Sequence, residues 1–179
     1  MAAASLPTSS PTIEQIWEWL GQVPDPEIPV ISVVDLGIVR AVAWQDGQCV
    51  VTITPTYSGC PAMQVIAESI GEALRAHGIE QVRLVSQLSP AWTTDSMSEA
   101  GRAKLTGYGI APPAQQVIDI SGLGIKGGIR RGAQAPLTVV CPNCGASHTT
   151  LTSQFGSTPC KALYKCLDCL EPFDYFKCH

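Results

Sequence analysis

The chain has 179 residues, 45% of them apolar and 15% charged, with a formal net charge of −4. That length suits one domain, or one domain with a small module, and the charge content lies below the usual quarter of a soluble domain. No Lys/Arg-rich block is present, which argues against a nucleic-acid binder, and no run of about 18 apolar residues is present, which argues against a membrane span.

Met1–Pro11 is rich in Ala, Ser and Pro. It lacks the basic start and apolar stretch of a secretion signal, so it reads as a disordered tail of a cytoplasmic protein. Thr12–Leu20 then reads as a short helix. Thr12 and Gln15 have the spacing of a capping box, and Ile13, Ile16, Trp17 and Leu20 share one face. The three prolines of Val23–Val30 fix the backbone and remove donors, so this stretch must be a loop. Gly37–Trp44 and Gln48–Thr54 are strand-like, and Asp46-Gly47 between them is a hairpin turn signal. A helix is expected over Pro61–Ala76, with Pro61 at its first position and Gly78 ending it. Gln81–Leu88 reads as a third strand. A helix over Met97–Leu105 follows, with Ser96 and Glu99 as its capping box and Gly107 as its stop. Gln115–Ile120 reads as a short strand.

Gly and Arg are frequent over Ser121–Pro136, the composition of a linker. The expected organisation is therefore an α/β (α+β) domain over 12–120, a linker over 121–136 and a small β module over 137–179.

Six of the eight cysteines follow residue 140. Cys141-Pro-Asn-Cys144-Gly145 and Cys166-Leu-Asp-Cys169 are separated by 21 residues. Each CxxC can wrap a metal in a tight knuckle, with Gly145 relieving the turn, and two knuckles supply four thiolates in tetrahedral array. Free buried cysteines or two redox pairs are the alternatives, but paired CxxC spacing in a chain without a secretion signal favours metal. Zinc is expected over iron, although a tetrahedral sulfur site accepts either. Four thiolates leave no open position, so the site is expected to be structural. Strand-like runs over Leu137–Val140 and Phe173–Phe176 complete the layout of a zinc ribbon. Cys160, Cys178, His148 and His179 stay outside this quartet, with Cys160 the first substitute.

In the first domain, Ser58-Gly59-Cys60-Pro61 puts a thiol at a helix start. Unpaired N–H groups and the helix dipole favour a thiolate there, and such cysteines have lowered pKa values. A small packed residue is the bland alternative, and it is the expectation for Cys49. Asp25, Glu27 and Asp35 either ligate a cation or cap turns, the commoner role for Asp beside Pro. Thr52, Thr54, Thr56 and Tyr57 precede Cys60 and offer hydrogen bonds to a ligand held over the helix start. His77 reads as a cap at a helix end.

Asp25-Pro-Glu-Ile-Pro-Val30, Val34-Asp-Leu-Gly37 and Tyr57-Ser-Gly-Cys-Pro61 resemble the iron–sulfur assembly domain family that includes SufT and the cytosolic iron–sulfur targeting proteins of yeast and human. The resemblance covers about residues 12–120. It implies an α/β fold, with the family's signature cysteine on Cys60 and its signature aspartate on Asp35. The whole chain is similar to the D-subunit family of bacterial phenylacetyl-CoA epoxidases. Leu88–Asp95, Tyr108–Pro113, Phe155–Tyr164 and Glu171–His179 carry this second resemblance. Ser96 departs from the Trp expected after Thr-Thr-Asp.

The system so implied epoxidises the ring of phenylacetyl-CoA. Its di-iron site lies on another subunit, and its flavin and iron–sulfur cluster lie on a reductase subunit. The chain has no Glu-x-x-His pair on long helices and no dinucleotide fingerprint, in keeping with an accessory role and not with catalysis. The resemblance implies an assembly factor that handles a transient iron–sulfur cluster or iron at Cys60 and Asp35, with the other epoxidase subunits, above all the reductase, as partners. A stable, non-catalytic structural subunit with Cys60 merely packed is the alternative. Homo-oligomerisation stays open, and neither nucleic acid nor a membrane is expected.

Overall fold

A computed structural model describes residues 10–57, 59–113 and 138–177. Two compact units emerge, Met1–Trp92 and Thr93–His179.

In the first unit, helix α1 spans Ile13–Leu20 and opens on the expected capping box. The Thr12 N–H donates to Gln15 Oε1 at 2.9 Å, and the Gln15 N–H donates to Thr12 Oγ1 at 3.3 Å. Ile16 and Leu20, four residues apart, are its buried contacts with the core. Strands β1 (Val39–Gln45) and β2 (Gln48–Ile53) form an antiparallel hairpin. Asp46 and Gly47 turn it with φ of 49° and 78°, the left-handed pair that matches the twist of the strands.

Helix α2, Met63–Ala76, returns the chain antiparallel to β2 so that β3, Val82–Ser86, pairs with β2 in parallel. Ile66, Ile70 and Leu74 recur every four residues and form its buried stripe. Gly78, at φ 85°, ends α2. Its N–H bonds to the Arg75 carbonyl and the Ile79 N–H reaches the Leu74 carbonyl, which closes the last turn. His77 does more than cap: its ring stacks on Trp19 at a centroid distance of 4.1 Å. The sheet order is β1-β2-β3. The start of β1, the carboxyl ends of β2 and β3 and the N-terminus of α2 therefore share one end of the unit.

The second unit begins earlier than the ribbon expected from sequence. A 3-10 turn at Thr94–Ser96 leads to α3 (Glu99–Gly107) and then to β4, Ile110–Ala111. Ser98 caps α3, accepting the Gly101 N–H at 2.9 Å, while Ser96 closes the preceding turn onto Thr93. The expected Ser96–Glu99 box is thus displaced by two residues, because the Thr93 turn claims Ser96 first. Strands β5 (Thr149–Ser153), β6 (Lys161–Cys166) and β7 (Pro172–Phe176) complete a four-stranded sheet in the order β4-β7-β6-β5. β4 joins it by parallel pairing of Ile110 with Asp174 and Ala111 with Tyr175. Residues 93–111, counted with the first domain by sequence, thus pack with the ribbon. Residues 138–140 form no strand; the Val139 carbonyl is held instead by the Thr149 hydroxyl of β5, at 2.7 Å. The expected strand at Gln115–Ile120 and the whole of the expected linker lie outside the described residues. No helix among the described residues is long and apolar enough to cross a membrane.

Candidate metal centre and thiol site

Two tight turns of the second unit have the same backbone plan. In the first, the Cys141 N–H donates to the Ala146 carbonyl at 2.9 Å; in the second, the Cys166 N–H donates to the Glu171 carbonyl at 3.0 Å. The residue after each second cysteine is left-handed: Gly145 at φ 76° and Leu170 at φ 65°. Only the first turn uses the residue that adopts this conformation at no steric cost, so the repeat was half visible in the sequence. In the second turn, the Cys169 N–H also points at Cys166 Sγ, at 3.5 Å.

The turns bring the four expected cysteines together, every sulfur within 4.8 Å of the others. Cys141 Sγ lies 3.8 Å from Cys169 Sγ, and Cys144 Sγ lies 3.6 Å from Cys166 Sγ. A disulfide needs about 2.05 Å, so these are not bonded pairs. Four sulfurs about 2.3 Å from a common tetrahedral centre stand about 3.8 Å apart, close to the separations of the Cys141–Cys169 and Cys144–Cys166 pairs. The residues present therefore fit a metal centre of four cysteine thiolates.

Thiol electrostatics agree with that fit. The Cys169 N–H, followed by other N–H and S–H donors, brings Cys166 down to about 7. The Glu171 N–H pulls Cys169 down, but burial and the Cys166, Cys144 and Cys141 sulfurs outweigh it and push Cys169 up to about 12. Four close thiols cannot all ionise without a compensating cation, and a divalent metal supplies one.

Of the substitute ligands, Cys160 and His148 do not join the quartet. Cys160 is buried, with Thr158 Oγ1 at 3.1 Å from its sulfur. His148 Nδ1 faces Asp168 at 3.2 Å. Cys178 and His179 lie outside the described residues.

The second candidate site lies in the first unit, at the end where β2 and β3 finish. Cys60 does not sit at the cap position expected for it. Helix α2 begins at Met63 with Ala62 as its cap, so Cys60 occupies the turn before it. The Cys60 carbonyl accepts the Met63 N–H at 3.4 Å. Its thiol is raised above the ordinary range, which corrects the expected thiolate. Burial is the largest cause; the Ala62 and Met63 N–H groups pull the other way, while the Glu27 and Asp25 carboxylates add to the rise. The N–H donors foreseen from the sequence are present, but desolvation and two nearby negative charges outweigh them. Those carboxylates were visible as residues; their approach to Cys60 was not, because the fold brings them across about thirty residues of chain.

Asp25 is 7% exposed and caps its own loop, accepting the Glu27 and Ile28 N–H groups at 2.9 and 2.8 Å. Asp35 accepts the Ser32 hydroxyl at 2.9 Å, and its own N–H donates to that oxygen at 3.0 Å. Thr54, the residue after β2, is 1% exposed, and its hydroxyl has no partner among the described residues. Cys49 is fully buried in β2, as expected.

A family model described as the PaaD zinc beta ribbon domain matches residues 127–177, and one described as an iron-sulfur cluster assembly protein matches residues 13–86. The chain is 49% identical over 94% of its length, and 94% of the relative's, to an Escherichia coli K12 protein provisionally named as the D subunit of 1,2-phenylacetyl-CoA epoxidase. It is 38% identical to an Fe-S protein maturation auxiliary factor of Porphyromonas gingivalis, over 52% of this chain and 90% of that one. A crystal structure of a DUF59 domain from Bacillus anthracis is similar over 52% of this chain and 90% of that chain, with 25% identity and a TM-score of 0.49.

Proposed function

The chain belongs to the family of phenylacetyl-CoA epoxidase D subunits, and from that premise we propose that it is a cytoplasmic accessory protein that matures an iron–sulfur cluster or iron site of that multicomponent oxygenase. Its cargo is carried transiently on Cys60, and its client is another epoxidase subunit, foremost the iron–sulfur reductase. The observation that supports this reading is the setting of Cys60: a half-buried sulfur at the mouth of α2, facing the Ala62 and Met63 N–H groups and under the influence of Glu27 and Asp25. A sulfur ligand must lose its proton to bind. Here the carboxylates oppose a bare thiolate and favour one that arrives with a cation. The thiol thus stays protonated and unreactive until cargo comes. Asp35 holds the Ser32 turn of the loop that carries both carboxylates and acts as a positioning residue.

Cys141, Cys144, Cys166 and Cys169 would hold a zinc ion. With all four positions filled by protein, that ion supplies folding energy to the ribbon and takes no part in the hand-over.

Metal and acid-labile sulfide, measured on anaerobically purified wild-type protein beside Cys60→Ser, test both assignments. Zinc in both, with iron and sulfide only in the wild type, is the expected result. Zinc alone in both would remove the cargo role. The neutral, half-buried thiol would then support the second reading, a structural subunit of the complex with Cys60 as a packed residue.

A further inference from the structure

The two cysteine turns share a backbone plan but are not equally covered. Cys141 and Cys166, the first cysteine of each, are 1% and 0% exposed. Cys169 is partly buried, and Cys144 alone of the four is exposed. Its chain neighbours leave it open. Asn143 and Gly145 are exposed too, and a Cβ built on Gly145 would meet nothing within 4 Å. The matching position of the second turn, next to Cys169, is filled by Leu170. A reagent from solvent therefore reaches the quartet by way of Cys144.

Access is one requirement of an oxidisable cysteine; thiolate character and a second thiol to close on are the others. As a ligand to a cation, Cys144 is a thiolate. Cys166 Sγ stands 3.6 Å from its sulfur, closer than the 3.8 Å between Cys141 and Cys169. Cys166 is itself screened from solvent, and the Cys169 N–H points at its sulfur from 3.5 Å. One member of the pair is thus open to an oxidant, and the other is held where it can close on the product.

We propose that Cys144 is the site at which the ribbon senses peroxide, and that its oxidation closes a Cys144–Cys166 disulfide across the two turns. The Cys144 sulfur attacks one oxygen of hydrogen peroxide: an S–O bond forms, the O–O bond breaks and hydroxide leaves. The Cys166 sulfur then attacks the resulting sulfenic acid: an S–S bond forms, the S–O bond breaks and a second hydroxide leaves. The two sulfurs together give up two electrons, and the peroxide takes them up as two hydroxide ions. Both sulfurs leave the ligand set, so only Cys141 and Cys169 remain, and the ion is lost with the folding energy it supplies. The inference rests on the zinc reading of the quartet. It makes that ion conditional, held by the reduced ribbon and released when peroxide rises.

In the test, the zinc-loaded full chain, freed of reductant, is treated with hydrogen peroxide. Zinc release is followed with a chromogenic chelator, and tryptic peptides are mapped without reduction. Cleavage after Arg131, Lys161, Lys165 and Lys177 leaves Cys141, Cys144 and Cys160 in one peptide and Cys166 and Cys169 in another. The expected early product links peptide 132–161 to peptide 166–177 through Cys144 and Cys166, in step with zinc release, and thiol reductant with added zinc reverses it. Cys144→His keeps a fourth ligand of a kind zinc accepts but offers peroxide no thiolate there. It should lose zinc at least about tenfold more slowly than the wild type, while Cys160→Ser, outside the quartet, should match the wild type. First oxidation at another ligand, a bond confined to peptide 132–161, or zinc loss from Cys144→His at the wild-type rate would each overturn the proposal. The wild-type peptide map decides even where Cys144→His fails to fold. Protein that holds zinc and keeps it under peroxide overturns this inference alone, whereas protein that holds no zinc before treatment overturns the zinc reading with it.

Discussion

Replacement of Cys144 by alanine separates metal ligation from packing. Cys144 is the exposed member of the quartet, so its truncation leaves no cavity. Its sulfur lies 3.6 Å from Cys166 Sγ, within the tetrahedral array. A structural zinc contributes about 10–16 kcal/mol to a small module, and an even share for one of four ligands is roughly 2.5–4 kcal/mol. At about 4–8 °C per kcal/mol for a unit of this size, the melting transition of the second unit should fall by about 10 °C or more. Calorimetry with and without a strong chelator reads this directly, beside zinc stoichiometry. Chelation should lower the wild-type transition to that of Cys144→Ala or below, and should do little further to the variant. Cys160→Ser, outside the array, should keep its zinc. If Cys144→Ala melts with the wild type and chelator moves neither, the four sulfurs are not a metal centre and their tetrahedral spacing has another origin.

Three further outcomes follow from the geometry. The Cys60 thiol titrates above its unfolded value, so the folded state holds that proton more tightly; the resulting stability is whole below the unfolded pKa and is lost as pH rises through the raised folded one. Alkylation of Cys60, followed by mass spectrometry across pH, should therefore inflect above the value of about 8.5 for free cysteine, and Glu27→Gln should lower the inflection; an inflection below about 8.5 in the wild type contradicts the electrostatic account. Asp25→Ala removes the acceptor for the Glu27 and Ile28 N–H groups and should cost about 2–4 kcal/mol in denaturant unfolding, with Asp25→Asn milder; a loss under about 0.5 kcal/mol would show that the loop does not depend on this cap. Lys161, buried in β6, pairs with Asp174 at 3.6 Å. Asp174→Ala should cost about 3–5 kcal/mol by stranding that charge, while Lys161→Met with Asp174→Leu should recover most of the loss; equal destabilisation by the single and double changes would rule out the pairing argument.

Local chemistry made much of this fold legible. The Thr12–Gln15 box, the Asp46-Gly47 turn and the Gly78 stop each depend on residues within a few positions, and all form where the pattern put them; helical spacing also groups Val65 with the buried Ile66, Ile70 and Leu74 of α2, yet Val65 is left exposed. The CxxC pairs were equally plain, because each turn is local and only the meeting of the two is tertiary. What escaped the sequence was non-local. Pro61 looks like a first helical residue, yet α2 starts at Met63 because the chain first turns through Cys60. The thiol was expected to ionise readily because its N–H donors are neighbours in sequence, whereas Glu27 and Asp25 are not. β4 is two residues long and acquires its strand character only from β7, so no periodicity announces it.

That parallel pairing of Ile110–Ala111 with Asp174–Tyr175 also bears on how freely the ribbon can travel between proteins. A cassette excised at residue 127, where the ribbon family match begins, would leave β7 as a bare edge with its outward backbone groups open to other chains. A self-sufficient graft has to start near Thr93 and carry α3 with it. Shuffling the ribbon onto a new host therefore means moving a segment from upstream of residues 114–137 as well, so that the smallest inheritable piece of this protein is larger than its metal-binding motif.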